Sequence, residues 1–514
     1  MTGSVRETWG SRAGFLLAAV GSAIGLGNIW RFPGEAYESG GGAFLIPWMV
    51  AILTAGIPLL ILEYTIGHRS RKSGPSAFRS MSKNAEGIGW WQVAVAILLA
   101  TFYASILAWA VSYTFFSVTA SWGDEPGAYF TEFLNVSGEV YQFGEFNWGI
   151  FGALAGVWVV SLVIMAGGVR KGVELANKVC IPLLVVLFGA LVVRAVTLPG
   201  ALDGLNTFFT PDWNALGDYQ VWVAAYGQVF FSLSIGMGTM IAYASYLRKK
   251  SELTMTATTA GLANASFELL AGIGVFAALG FMAYNSGGPV IDEQNPIVGG
   301  GLAFVTFPTI LNEMPGTELF GFLFFGSLVV AGVSSLISML IVPLASFQDR
   351  FGWDRKKTVL VIGIPMALVS LAVYPTRNGP MILDAVDQAV TPYGLVMAGL
   401  ASIIAAFASG KIGRLASDAN RYSILKLGAW WYAFLGITAV VLVYILLFNL
   451  VPDQIDWYLN PKEGNTLSPD QVLITWSVGA ASILFGLVMG VVMRNKPVPQ
   501  TDEDLENAEE EASA

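Results

Sequence analysis

The stretch GSAIGLGNIWRFP, Gly21 to Pro33, interrupts an apolar run that otherwise suits a membrane-spanning helix. Each glycine in a helix interior costs about 1 kcal/mol relative to alanine, and the stretch carries them at 21, 25 and 27. The amide of Asn28 and the cation of Arg31 add a further cost at membrane depth. A matching stretch, FFSLSIGMGTM from Phe230 to Met240, lies about 211 residues downstream, and SAIGLGN (22–28) aligns with LSIGMGT (233–239) on a shared I-G-x-G core. Read alone, Gly21-x-x-x-Gly25 is also a helix-packing pattern; the paired occurrence points instead to two unwound turns. Unwinding frees backbone carbonyls and exposes helix N-termini. Carbonyl oxygens take a hard cation, and N–H groups take a carboxylate. Such backbone is tolerated at depth only where it lines a cavity.

Composition sets the surroundings of these breaks. The 514 residues are 55% hydrophobic and 12% charged, against roughly 25% charged in a soluble globular protein. Apolar runs near or above the ~20 residues that cross a bilayer fall at 12–37, 41–67, 88–121, 147–167, 173–197, 221–247, 254–284, 317–347, 357–374, 381–408, 427–450 and 470–493. An all-α polytopic membrane protein of about twelve transmembrane helices is expected. The first run is too long for a cleaved signal peptide. Basic residues concentrate in 69–83, 170–178, 248–252, 349–357 and 411–421, leaving Arg31, Arg194, Arg377 and Lys462 on the other side. The positive-inside rule then puts both termini in the cytoplasm of a multi-pass plasma-membrane protein. The tail 501–514 is acidic, lacks aromatics and is expected to be disordered. The net charge of −9 argues against a nucleic-acid partner. Cys180 and His68 are each the only residue of their type, which excludes an intrachain disulfide and a multi-histidine metal site. Neither a GxxxxGK[ST] loop nor a GxSxG elbow occurs, so neither ATP hydrolysis nor hydrolase chemistry has a basis, and no enzyme activity is expected. An ion gradient is the remaining drive for uphill work.

Breaks at matching places in two five-span halves imply an inverted repeat, because an odd number of spans starts the second half on the opposite side. The expected organisation is a first repeat over 11–197, a second over 221–408, two peripheral helices within 427–493 and the acidic tail 495–514.

With these features in place, the chain resembles the neurotransmitter:sodium symporters, and among them the bacterial amino-acid transporters of LeuT type. The residues that carry the resemblance are RETWGSRAGFLLAAVGSAIGLGNIWRFP (6–33), GGGAFLIPW (40–48), GIPLLILEYTIG (56–67), DGLNTFFTPDW (203–213), VWVAAYGQVFFSLSIGMGTMIAYASYLRK (221–249) and AGVSSLISM (331–339). The resemblance implies a LeuT-type fold with a 5+5 inverted repeat and broken first and sixth helices. It implies a first sodium site at the carbonyl of Ala23 and the side chains of Asn28, Ser232 and Asn264, completed by the substrate carboxylate. A second sodium site is implied at the carbonyls of Gly21, Ile24 and Ala331 and the hydroxyls of Ser334 and Ser335, where Ser334 stands in for a frequent Thr. By the same comparison Gly25 and Gly27 offer amides and Tyr103 its hydroxyl to the substrate carboxylate, Ala23 and Ser232 also contact the substrate, and Ser22, Leu99, Phe231, Ser234, Met237, Ser335 and Met339 line its side-chain pocket. Two methionines make an adaptable apolar wall. The outer gate corresponds to Arg31 and Asp387, with Phe231 as lid. The inner gate corresponds to Arg6 and Asp349 with Ser245 and Tyr246. Glu63 corresponds to the carboxylate that holds the unwound first-span amides. Glu268 stands where chloride-dependent members carry an anion-binding serine, so an internal charge replaces chloride, and Trp48 replaces a frequent tyrosine.

The implied activity is sodium-coupled import of hydrophobic L-amino acids by alternating access, with two sodium ions and no chloride. A non-transporting amino-acid receptor, or a symporter for another small amine or zwitterion, stands beside it as the alternative.

Overall fold

A backbone in lipid must satisfy its own hydrogen bonds, and helices do so within one segment. The computed structural model describes residues 7–136, 140, 145–291, 299–461 and 467–499. Arg6, Lys462 and the acidic stretch 501–514 lie outside the described residues. Among the described residues the only β pairing is an isolated bridge, Phe146 with Thr376.

The first apolar run forms α1 (Arg12–Ala23) and α2 (Leu26–Glu38), bent by 64° at their break. There follow α3 (Gly42–Ser70), α4 (Lys83–Thr119), α5 (Trp148–Ala166) and α6 (Val169–Val196). The sixth run forms α7 (Tyr219–Ser232) and α8 (Thr239–Ser245). The remaining spans are α9 (Thr254–Ser286), α10 (Thr317–Phe351), α11 (Arg355–Val373), α12 (Gly379–Ala408), α13 (Ala429–Leu459) and α14 (Pro469–Met493). Among the described residues ten helices are long and apolar enough to cross a membrane, and the α1–α2 pair makes eleven. The expected twelfth differs for a physical reason: α7 and α8 have 14 and 7 residues, so neither spans alone. Helices α10 and α4 are the most enclosed, with 83% and 78% of their apolar windows buried, whereas α13 and α14 keep 25% and 22% and lie at the periphery.

Cross-links gather the basic connections onto one face. The His68 ring meets the Arg248 carbonyl at 2.9 Å, Arg69 pairs with Asp418, and the Ser73 N–H donates to Asp349 Oδ2 at 2.6 Å. Glu7 Oε2 accepts from the Val169 N–H at 2.9 Å and from Arg355 at 3.2 Å, and Lys411 Nζ donates to the Ser80 carbonyl at 2.7 Å. Both described chain ends lie on this face. Opposite it, Asn147 reaches the Phe133 carbonyl at 2.6 Å, Trp122 reaches Asn312 at 2.9 Å and Asn378 reaches the Val140 carbonyl at 2.6 Å.

The end of α14 shows how side chains from other helices satisfy a helix terminus. A helix leaves its last four carbonyls without intrahelical partners. Here Arg350 donates to the carbonyls of Met493, Lys496 and Pro497 at 2.8, 3.1 and 2.7 Å. Arg79 donates to those of Arg494 and Lys496 at 2.9 and 3.2 Å. Glu86, fully buried near the start of α4, holds both guanidiniums, with Arg350 Nε at 2.7 Å and Arg79 at 2.6 Å. Removing a single partner of a buried pair strands the other charge. Glu86→Ala should therefore lower stability by about 3 kcal/mol or more, read as a clear drop in thermal midpoint of the purified protein in detergent. An unchanged midpoint would show that water reaches the two arginines.

Candidate functional site

Two breaks in helical backbone meet in the middle of the bundle. In the first, α1 ends at Ala23, Ile24 leaves the helix at φ −80° and ψ 99°, and Gly25 is extended at φ −126° and ψ −166° before α2 restarts at Leu26. In the second, the chain between α7 and α8 takes positive φ at Ser234 (54°), Gly236 (86°) and Gly238 (79°). Left-handed backbone costs a non-glycine residue about 1–2 kcal/mol. At Gly236 an added Cβ would also run into the Leu395 carbonyl. The Gly236 N–H donates to Glu63 Oε1 at 2.8 Å. Glu63, fully buried on α3, thus supports the second break through this bond, whereas the family comparison implied the first-span amides.

The freed groups of the first break are taken up locally. The Gly25 N–H donates to Asn28 Oδ1 at 2.8 Å, and the Leu26 N–H donates to the Tyr103 hydroxyl at 3.2 Å. Asn28 Nδ2 donates to Asn264 Oδ1 at 2.8 Å, and Asn264 Nδ2 donates to Ser232 Oγ at 3.0 Å. The side chains expected at the first cation site therefore form one buried chain joining α2, α9 and α7. Its amide and hydroxyl oxygens are the atom type that a hard cation takes. Across the break, Ser335 Oγ on α10 lies 3.5 Å from the Gly21 carbonyl oxygen and 3.3 Å from that of Ile24. Ser334 Oγ donates to the Ala331 carbonyl at 2.8 Å. All five groups expected at the second cation site are buried where α1 meets α10.

Between these clusters lies a pocket of about 20 Å³, lined by Ser22, Ala23, Gly25, Leu26, Gly27, Asn28, Tyr103, Phe231, Ser232, Ser234, Met237, Ser335 and Met339. That volume suits about one water, so an amino acid enters only if the walls part. Of the expected lining, Leu99 alone is missing: it is fully buried on α4, one turn before Tyr103. Leu26, whose amide reaches Tyr103, was not expected; its position inside the broken stretch was the available signal. Ser234 Oγ donates to the Ser22 carbonyl at 3.0 Å, tying the two breaks together.

Above the pocket opens a cavity of about 660 Å³ that shares Leu26, Gly27, Tyr103 and Phe231 with it and also carries Arg31, Glu35, Glu38, Asp384 and Asp387. Arg31 and Asp387 thus face one space. The ion pair of Arg31 is with Glu35, Nε to Oε1 at 3.3 Å, and its guanidinium lies 4.9 Å from the Phe231 ring centroid. Asp387 Oδ1 accepts from Thr391 Oγ1 at 2.5 Å.

Toward the basic face the path is sealed. Trp9 is buried, its Nε1 donating to the Tyr243 carbonyl at 2.9 Å and its N–H to the Tyr246 carbonyl at 3.2 Å. Ser245 Oγ donates to the Ala242 carbonyl at 2.6 Å, and Asp349 Oδ2 also accepts from Ser73 Oγ at 2.8 Å. Arg6, the expected partner of Asp349, is outside the described residues. Beside Asn264, Glu268 is fully buried; Trp48 Nε1 donates to its Oε2 at 3.0 Å and Gln228 Nε2 to its Oε1 at 2.6 Å.

Comparison with known proteins follows this geometry. The chain matches the model of a family described as the sodium:neurotransmitter symporter family over residues 6–127 and 124–489. It is 42% identical to an uncharacterised sodium-dependent transporter of Methanocaldococcus jannaschii, over 86% of this chain and 90% of that protein. It is 30% identical to the sodium- and chloride-dependent GABA transporter 2 of Bos taurus, over 74% of this chain and 69% of the relative. Among solved structures, that of MhsT in complex with L-phenylalanine superposes with a TM-score of 0.71 at 30% identity, over 92% of this chain and 100% of MhsT.

The second break yields a direct test. Gly236→Ala must adopt φ near +86° and displace the Leu395 carbonyl. We expect a loss of about 2 kcal/mol or more, seen as a lower thermal midpoint, with Gly227→Ala, where an added Cβ meets open space, close to wild type.

Proposed function

The chain belongs to the sodium:neurotransmitter symporter family, and we propose that it imports hydrophobic L-amino acids across the plasma membrane, driven by sodium and without chloride. The observation that carries this reading is the buried chain Asn28–Asn264–Ser232 lying against a pocket walled by Gly25, Tyr103 and two methionines. Sodium at Ala23, Asn28, Ser232 and Asn264 shares the substrate carboxylate as a ligand, so each completes the other's site and the two bindings are coupled. A second sodium sits among Gly21, Ile24, Ala331, Ser334 and Ser335. Each charge entering gains about 2.3 kcal/mol per 100 mV, and about 1.4 kcal/mol corresponds to tenfold. Two sodium ions with a zwitterion thus support roughly a thousandfold accumulation.

The substrate class follows from Gly25. Glycine supplies no acidic group here, and a Cβ would press on Ser335 Oγ at 2.7 Å and the Tyr103 hydroxyl at 3.1 Å. The substrate therefore brings its own carboxylate to the amides of the first break, and Met237 and Met339 adapt to its apolar side chain. With the basic face read as cytoplasmic by the positive-inside rule, the 660 Å³ cavity is on the outer side and would be reached from outside. The two breaks belong to inverted halves, 11–197 and 221–408, that rock about the fixed site.

Proteoliposome uptake of a panel of labelled amino acids, with and without a sodium gradient, tests the reading. Sodium should drive accumulation of leucine-like or aromatic amino acids, tryptamine and tyramine should compete poorly, and Asn28→Ala should reduce uptake at least tenfold. Equal competition by the decarboxylated amines would place the substrate's anchor elsewhere.

Glu268 supplies the negative charge beside the first sodium site from within the protein, held by Trp48 and Gln228. Replacing chloride by gluconate should leave wild-type uptake unchanged, and Glu268→Ser should make uptake chloride-stimulated. Arrest of the wild type in gluconate would overturn the internal-charge account.

A further inference from the structure

In the cavity above the pocket one guanidinium faces carboxylates from two elements. Arg31 and Glu35 stand one turn apart on α2, so their contact is available whenever that helix is intact. Asp387 and Asp384 approach from α12. Arg31 binds Glu35 through Nε while its guanidinium lies over Phe231, which with Tyr103 is common to the cavity and the pocket. Asp387, meanwhile, is held by Thr391 on its own helix. The side chains of Arg31 and Glu35 are 29% and 22% exposed, and ion pairs this wet are weak enough to exchange partners.

From the juxtaposition of Glu35 and Asp387 around Arg31 in one cavity, we propose that Glu35 is the partner that holds the Arg31 guanidinium while the cavity is open, so that closure over the pocket requires Arg31 to trade Glu35 for Asp387. Glu35 is then a positioning residue that sets the open fraction. This rests on the reading of Arg31 and Asp387 as a gate. Of the four carboxylates in the cavity, Glu35 and Asp387 are the two between which Arg31 would trade; neutralising Glu35 releases Arg31 to Asp387 and favours the closed arrangement, while neutralising Asp387 leaves Arg31 on Glu35. The two isosteric changes therefore act with opposite sign. The effect of the Glu35 change also disappears once Asp387 is neutral, because the competing partner is gone.

The test is the rate at which a thiol-specific aqueous reagent labels Ile106→Cys, a cavity-lining position, in a Cys180→Ser background in proteoliposomes containing sodium and no amino acid. Glu35→Gln should slow labelling about threefold. Asp387→Asn should label at or above the parent rate, and the double variant should match Asp387→Asn alone. Glu35→Asp, which keeps the charge, should return the rate toward the parent. The proposal is overturned if Glu35→Gln leaves the rate unchanged, if both single variants slow it, or if the double variant remains slow. Because no amino acid is present, these outcomes stand apart from the uptake panel. Absent uptake with the expected labelling pattern would count against amino-acid import and not against the exchange at Arg31.

Discussion

Backbone polar groups that leave a helix inside a membrane need new partners, and the structure is organised around meeting that need at two places. At the first break the amides of Gly25 and Leu26 go to Asn28 and Tyr103. At the second the Gly236 amide goes to Glu63. The Ser22 carbonyl takes the Ser234 hydroxyl and so links the breaks to each other. These partners sit on different helices or turns, so the unwound segments tie α3 and α4 to the two breaks. A net hydrogen bond contributes only about 1 kcal/mol, but leaving such a group unpaired in an apolar interior costs more. The breaks are in this sense anchors of the bundle as well as its weakest helical points.

The carbonyl side of the breaks gives the functional consequence. Ser335 approaches the Gly21 and Ile24 carbonyls from α10, one of the two most enclosed spans, while Asn28, Asn264 and Ser232 close the opposite side. Oxygen atoms that weak neutral hydrogen bonds hold together are oxygen atoms a cation can gather more strongly. The same groups that satisfy one another here would supply the cation sites of the proposed cycle, and the amides of Gly25 and Leu26 would exchange Asn28 and Tyr103 for the substrate carboxylate.

The two faces of the bundle differ in how they are sealed. Toward the basic face, Trp9 is wedged under the carbonyls of Tyr243 and Tyr246, and the neighbouring Arg79–Glu86–Arg350 cluster binds the carbonyl end of α14. These are buried, multiply bonded contacts. On the other face, Arg31 makes a partly exposed ion pair with Glu35 and lies over the Phe231 ring beside a cavity. A firmly bonded side opposite a partly exposed ion pair is the asymmetry that the proposed alternating access needs.

Local cost was legible in the sequence. Glycines 21, 25 and 27, repeated in the I-G-x-G of 235–238, announced helical breaks because no smooth span tolerates them without a reason, and apolar run lengths announced an all-helical membrane fold. Asn28, Ser232, Asn264, Ser334 and Ser335, which the structure gathers around the breaks, were all named through the family resemblance, Asn264 from outside the most closely matching stretches. Partner choice was decided by tertiary structure. Glu63 takes Gly236, Arg31 takes Glu35 in preference to a direct contact with Asp387, Leu99 falls outside the pocket wall, and Glu86 joins residues 79, 350 and 493–497 through its two arginines. The reason is physical. A sequence states which groups need partners, but the rotation and axial offset of each helix, set by packing against several others at once, determine which distant group arrives within 3 Å.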